Sequence, residues 1–308
     1  MGKNKATQKT TQKTKTAPSV VVDNTKLKLT LAWKEIKQAY DRVLKNSAKN
    51  IKAQGFRQGK VPLKIAEEKI GRDHLINKVL EVIVPQKYQD LIKKEKKEPL
   101  TPPEIKPLKM DWEQDFELEI YIAEKPIIKL GNYRQAVKKG LKAAIKQFKE
   151  HTKEPKDGKK LTKAQLNTQE REIKLQQIFK ALLEATQPQI PELLLKEETK
   201  REIQRLDQEL KKIGLSLDDY LTKRNQKFED MSSQVAIQSL SQLQLEFVLE
   251  AIEQDQKIKV TQKDIDVELR KIKDEKVKQQ IQNNHQYLNY LEAQINRRKL
   301  IDLLLETK

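Results

Sequence analysis

The apolar positions of this chain change period near residue 130, and that change divides it into two textures. Before it, Leu27, Leu29 and Leu31 alternate with Lys26, Lys28 and Thr30, and Phe116, Leu118, Ile120 and Ile122 alternate with Glu117, Glu119 and Tyr121. Period two puts alternate side chains on one face, so both runs predict strands. Val20-Val21-Val22 predicts a further short strand, with Asp23-Asn24 as the turn that joins it to the next. Between the strands the spacing becomes helical. Trp33, Ile36, Tyr40, Val43 and Leu44 mark one helix. Ile65, Ile70, Leu75, Ile76, Val79, Leu80 and Ile83 mark a second pair of helical pieces, with Gly71 as the candidate break. Pro85 is expected to separate these from a shorter helix near Gln86–Lys94. A small antiparallel sheet covered by helices on one face satisfies this pattern, an α+β domain over about residues 20–130.

After residue 130 the pattern is helical throughout and shows no strand signal. Val137, Leu141, Ile145 and Phe148 share one face of a strongly basic helix, and Ile173, Leu175, Phe179, Leu182 and Leu183 mark a long helical region from about Leu161. Gln187-Pro188-Gln189-Ile190-Pro191 interrupts it, with Pro191 placed as the first residue of the next helix. That helix carries Leu194, Ile203, Leu206, Leu210 and Ile213 near a heptad spacing, and Gly214 is its expected C-terminal cap. Ser216 with Asp219, and Thr261 with Asp264, have the spacing of capping boxes. Met231, Val235, Leu240, Leu243, Phe247, Val248 and Ile252 mark another long helix. A last one runs from Tyr287 to Leu305. The C-terminal half reads as all-α.

Composition sharpens this division. The chain has 308 residues, more than one domain usually holds. Hydrophobic residues are 36%, charged residues 35% and aromatic residues only 5%, which favours extended helical packing over one large core. There is no cysteine, so no disulfide framework and no thiolate nucleophile. No apolar run approaches the roughly 18 residues of a membrane helix. Residues 1–19 hold five lysines and no acid and lack the apolar centre of a secretory signal, which predicts a disordered basic tail on a cytoplasmic protein. Residues 1–175 carry 41 Lys and Arg against 22 Asp and Glu, whereas residues 176–308 carry 22 against 23. So uneven a charge implies that one half docks on a polyanion.

Residues for bond-making chemistry are scarce. His74, His151 and His285 lie far apart without metal-ligand spacing. There is no G-x-S-x-G and no phosphate-cradling glycine run. Acidic pairs such as Glu197-Glu198 and Asp218-Asp219 sit in helix-start or solvated contexts, where carboxylates are favourable anyway. The reading is a protein without enzymatic activity, cofactor or metal.

One stretch stands apart: Gly55-Phe56-Arg57-Gln58-Gly59-Lys60-Val61-Pro62. The glycines supply positive φ, and the proline bars a helix from running back through the loop. Phe56, Arg57 and Lys60 replace the small polar residues usual at a turn. From the residues alone, the stretch is either a hairpin tip whose ring folds back onto its domain or a contact surface for protein or RNA. It also resembles the G-F-R-x-G-K-x-P signature of the trigger factor family, ribosome-associated bacterial chaperones. The likeness extends to the flanking elements and to Lys125-Pro126-Ile127-Ile128-Lys129-Leu130-Gly131-Asn132-Tyr133, and in the helical half to Ile190-Pro191-Glu192-Leu193-Leu194, Gly214 and Tyr220-Leu221.

That resemblance implies a ribosome-binding α+β domain (20–133), preceded by the tail (1–19), and an all-helical elongated chaperone domain (165–308). A basic helix and loop (134–164) stand where most relatives insert a peptidyl-prolyl isomerase domain; Phe148 is the only aromatic between Arg134 and Asn167, so no proline-gripping pocket is expected. The implied ribosome contacts are Gly55, Phe56, Arg57, Gln58, Gly59 and Lys60. They would face a tunnel-exit ribosomal protein and nearby ribosomal RNA. Gln58 replaces a frequent lysine, which implies weaker or more salt-tolerant docking. The implied activity is ATP-independent shielding of nascent chains, with Phe228, Met231, Phe247 and Tyr287 as candidate client contacts and a homodimer as a state off the ribosome. A basic RNA-binding protein, a periplasmic chaperone of similar helical build and a helical adaptor are the alternatives.

Overall fold

Period-two alternation gives two strands that pair antiparallel, Thr25 opposite Ile122 and Leu31 opposite Phe116. The computed structural model describes residues 20–57, 59–153, 162–272 and 274–307. Chain order is β1 (Val21–Val22), β2 (Thr25–Leu31), α1 (Trp33–Ala48), α2 (Leu63–Ile70), α3 (Arg72–Glu95), β3 (Glu104–Lys109), β4 (Phe116–Ile122) and α4 (Tyr133–Lys153). Then follow α5 (Lys163–Thr186), β5 (Ile190–Pro191), α6 (Glu192–Lys212), α7 (Leu217–Lys223), α8 (Phe228–Gln256), α9 (Gln262–Lys271), α10 (Glu275–Asn283) and α11 (His285–Glu306). Packing divides the chain into two units. One comprises residues 23–126 and 191–240; the other comprises residues 127–190 and 241–308 with the described residues up to Val22.

The first unit contains the sheet, ordered β2-β4-β3 and antiparallel throughout. Its inner face buries Leu29, Leu31, Phe116, Leu118, Ile120 and Ile122. Ile36, Ala39, Tyr40, Leu44 and Ala48 of α1 recur on one helical face and close over it, joined by Ala66 of α2 and Leu75, Val79 and Val84 of α3. The other face is polar, with Lys26 ion-paired to Glu119 and Tyr121 donating to Glu119 at 2.7 Å. Residues 191–240 group with this unit. There Asn24 Oδ1 accepts the Leu193 amide at 2.7 Å, satisfying a free N–H at the start of α6. At the far end of α6, Gly214 (φ +73°) turns the chain and the Leu215 amide returns to the Leu210 carbonyl.

The second unit is helical. Tyr133, Ala136 and Val137 of α4, Ile178, Ala181 and Leu182 of α5, Val248, Leu249 and Ile252 of α8, and Leu300 and Leu304 of α11 form its main core. Gly140 lets α4 lie directly on α5, since a Cβ there would stand 2.7 Å from the Gln177 carbonyl oxygen and the Ile178 Cα. Lys139 pairs with Glu184 and Gln177 donates to Gln147, which sets the two helices antiparallel. Ile265, Leu269 and Ile295 join α9 to α11, and Lys299 reaches Asp264 at 2.6 Å.

Several sequence expectations change here. β1 pairs with β5, not β2, so Asp23-Asn24 is no hairpin turn; its Asn caps α6 instead. β5 is a strand beyond residue 130, too short at two residues to show a period. It also ends on Pro191, which caps α6 rather than opening it. α3 runs unbroken through Pro85, held by buried Val79 and Val84 before it and by part-buried Tyr88, Leu91 and Ile92 after it, all packed in the same core. β3 was not expected, because Pro107 and its lysines hide it; a proline is tolerated on the edge strand that β3 is. The basic stretch expected as a link is largely α4, an integral helix of the bundle core.

Candidate docking loop

α1 ends at Ala48 and α2 begins after Pro62, and the intervening chain is pinned from both sides. Ile51 and Ala53 pack against the sheet unit's core, and Val61 is buried in it. The Tyr40 hydroxyl donates to Glu67 at 2.7 Å, joining the two helices that frame the loop. Burial, then that carboxylate, pushes the Tyr40 phenol up to about 12. Lys69 donates to the Lys52 carbonyl, fixing the loop's entry to α2.

Between these anchors the backbone reverses sharply. Ala53 and Phe56 form an antiparallel bridge, with the Phe56 amide donating to the Ala53 carbonyl at 3.1 Å. Gly55 and Gly59 take φ of +81° and +79°. A Cβ at Gly59 would lie 3.5 Å from the Lys49 carbonyl, an ordinary contact, so conformation rather than space calls for glycine there. The Lys60 amide donates to the Arg57 carbonyl at 2.9 Å, closing the turn.

The tip faces solvent. Phe56 is 43% exposed, Arg57, Gly59 and Lys60 are exposed, and Gln58 lies outside the described residues. No ion pair among the described residues involves Arg57 or Lys60. Lys49, Lys52 and Lys64 are exposed around them. An apolar ring beside unpaired cations, on a loop fixed by buried anchors, can insert into a protein surface while its charges meet phosphates. The sequence did not single out Val61, the residue that tethers the tip; its one signal is an apolar side chain between Lys60 and Pro62.

The candidate client residues differ in exposure. Phe228 and Tyr287 are 48% and 55% exposed. Met231 is 4% exposed and Phe247 9%, so both belong to the interior, where apolar residues at helical spacing pack. Tyr290, one turn along α11 from Tyr287, is 66% exposed and was missed, because a single tyrosine carries no pattern. Among the described residues, no group of three or more His, Asp or Glu could hold a metal ion, and no helix is long and apolar enough to cross a membrane.

Two family models match this chain. The bacterial trigger factor protein model covers residues 12–154, and the trigger factor C-terminus model covers residues 137–306. The chain belongs to the trigger factor family. The trigger factor of Natranaerobius thermophilus is 32% identical over 115 residues, 37% of this chain and 26% of that protein. That of Levilactobacillus brevis is 32% identical over 114 residues, 36% of this chain and 26% of its own length. The aligned part thus spans about a quarter of the length of these curated relatives. A solved trigger factor chaperone, described for promiscuous substrate recognition in folding and assembly, superposes with a TM-score of 0.57 at 14% identity, over 92% of this chain and 97% of that one. That likeness shows a shared trigger factor fold, a small sheet-bearing domain followed by helices.

Proposed function

We infer that this trigger factor family member is a ribosome-associated, ATP-independent chaperone. It docks beside the polypeptide tunnel exit through Gly55–Lys60, on a ribosomal protein and adjacent ribosomal RNA, and shields hydrophobic segments of nascent chains in the cytoplasm. The observation that carries this reading is the half-exposed Phe56 beside unpaired Arg57 and Lys60 on a rigidly anchored tip. Docking raises the local concentration of chaperone beside the emerging chain, so individually weak client contacts suffice. Phe228, Tyr287 and Tyr290 supply exposed apolar surface for such contacts. No nucleotide is required, since the cycle is one of binding and release.

Cosedimentation with purified ribosomes tests the reading. Phe56→Ala with Arg57→Ala is expected to weaken binding at least tenfold, because both the central ring and a phosphate-facing charge are lost. Undiminished pelleting of the double variant would refute docking through this loop.

A further inference from the structure

We propose that the outer face of α4 is a second polyanion-binding surface, which takes the phosphate backbone of double-stranded RNA. This assignment is independent of docking through Gly55–Lys60. Arg134, Lys138, Lys139, Lys142, Lys146 and Lys149 are all exposed, and Glu150 is the one carboxylate between Tyr133 and Glu150. Opposite them Tyr133, Ala136, Val137, Leu141 and Ala144 face the bundle. The helix therefore spends its apolar side on its own core and leaves a cationic side to solvent.

That side is only partly neutralised. Arg134 lies over the Tyr133 ring at 6.0 Å, and Lys139 reaches Glu184 at 3.7 Å. Lys138, Lys142 and Lys146 take no ion pair among the described residues. At 1.5 Å rise per residue they follow one another at about 6 Å along one side of the helix. Beside them, where α4 meets α5, runs an open groove of about 740 Å³; Asn132, Gln135, Lys138, Lys139 and Lys142 line it, with Glu184 as its one carboxylate. Amides and ammonium groups are what phosphate oxygens accept from.

The remaining chemistry selects the partner. A membrane-surface helix needs an apolar face free to enter lipid, and here that face is buried; Ile145 alone is half-exposed on the outer side. Single-stranded RNA is gripped by aromatic stacking, and no aromatic residue of Tyr133–Glu150 is exposed. Evenly spaced cations without stacking groups suit evenly spaced phosphates read by shape, as on a duplex.

The test measures fluorescence anisotropy of a labelled 20-base-pair RNA duplex with the full chain across a salt series. Lys138→Ala, Lys142→Ala and Lys146→Ala together replace exposed lysines with a strong helix former, and circular dichroism checks that helix content is kept. The triple variant is expected to bind at least tenfold more weakly at 50 mM salt, with the slope of log affinity against log salt flattened by about 3. The same tenfold loss is expected when the three lysine substitutions are added to the Phe56→Ala, Arg57→Ala protein, because α4 binds independently of the loop. A triple variant within twofold of wild type overturns the proposal. Tighter binding to a DNA duplex of the same length, to phosphatidylserine vesicles or to polyglutamate than to the RNA duplex, lost in the same variant, overturns the assignment to RNA.

Discussion

Tyr40 shows how one side chain sets the frame for the loop. Its ring is 1% exposed and meets Trp112 edge-on at 5.2 Å, while Trp112 in turn packs on Trp33 at 4.7 Å and beneath Arg72 at 4.4 Å. Its hydroxyl donates to Glu67, so one residue holds sheet, α1 and α2 together. Burial and the adjacent carboxylate both favour the neutral phenol, and the folded state holds its proton to about pH 12. The unfolded phenol titrates near pH 10. Because the folded value is the higher, the stabilisation is complete below about pH 10 and disappears as pH rises towards about 12. Urea unfolding between pH 9 and 12 is expected to show a steeper alkaline loss in the wild type than in Tyr40→Phe. The variant itself costs about 1 kcal/mol at neutral pH through the lost hydrogen bond to Glu67. Parallel curves would remove Tyr40 as the titrating group.

At the scale of elements, Gly140 decides whether α4 belongs to the bundle. Gly→Ala within a helix ordinarily stabilises by about 1 kcal/mol. Here the new methyl would meet α5 backbone at 2.7 Å, and backbone has little room to yield. Gly140→Ala is therefore expected to lower stability by about 1–3 kcal/mol in urea unfolding. A gain would mean that α4 does not rest on α5. The same helix marks where sequence stops being legible. Its amphipathic period was plain in Val137, Leu141, Ile145 and Phe148, yet Ile145 faces solvent and nothing in the period named α5 as the partner. Strong local signals carried over well: the strand Phe116–Ile122, the Thr261–Asp264 capping box and the Gly214 turn all stand where the residues placed them. Pairing did not, because β1 and β5 offer two residues each and their partnership depends on packing far along the chain. For the loop, glycine spacing announced the reversal. The tether at Val61 became visible only once the core was known.

At the scale of the molecule, α4 lies directly on α5. Phe148 is the only aromatic residue from Arg134 to Asn167, too little to enclose a proline ring. A protease-coupled assay on a proline-containing peptide is expected to give the uncatalysed rate with this chain, and catalysis above background would contradict that. The contact between Asn24 and Leu193 spans 169 positions, and the β1–β5 pairing beside it spans a similar length. During synthesis at about 5–20 residues per second, those partners emerge on the order of ten to thirty seconds apart. The sheet β2-β4-β3 and helices α1–α3 need nothing beyond Ile122 to close their own core. Translation thus imposes a sequence of events: the loop-bearing core is complete early, and the N-terminal strand waits, unpaired, for a segment not yet made. The loop proposed to dock would thus take its final form while the chain is still attached to the ribosome that is making it.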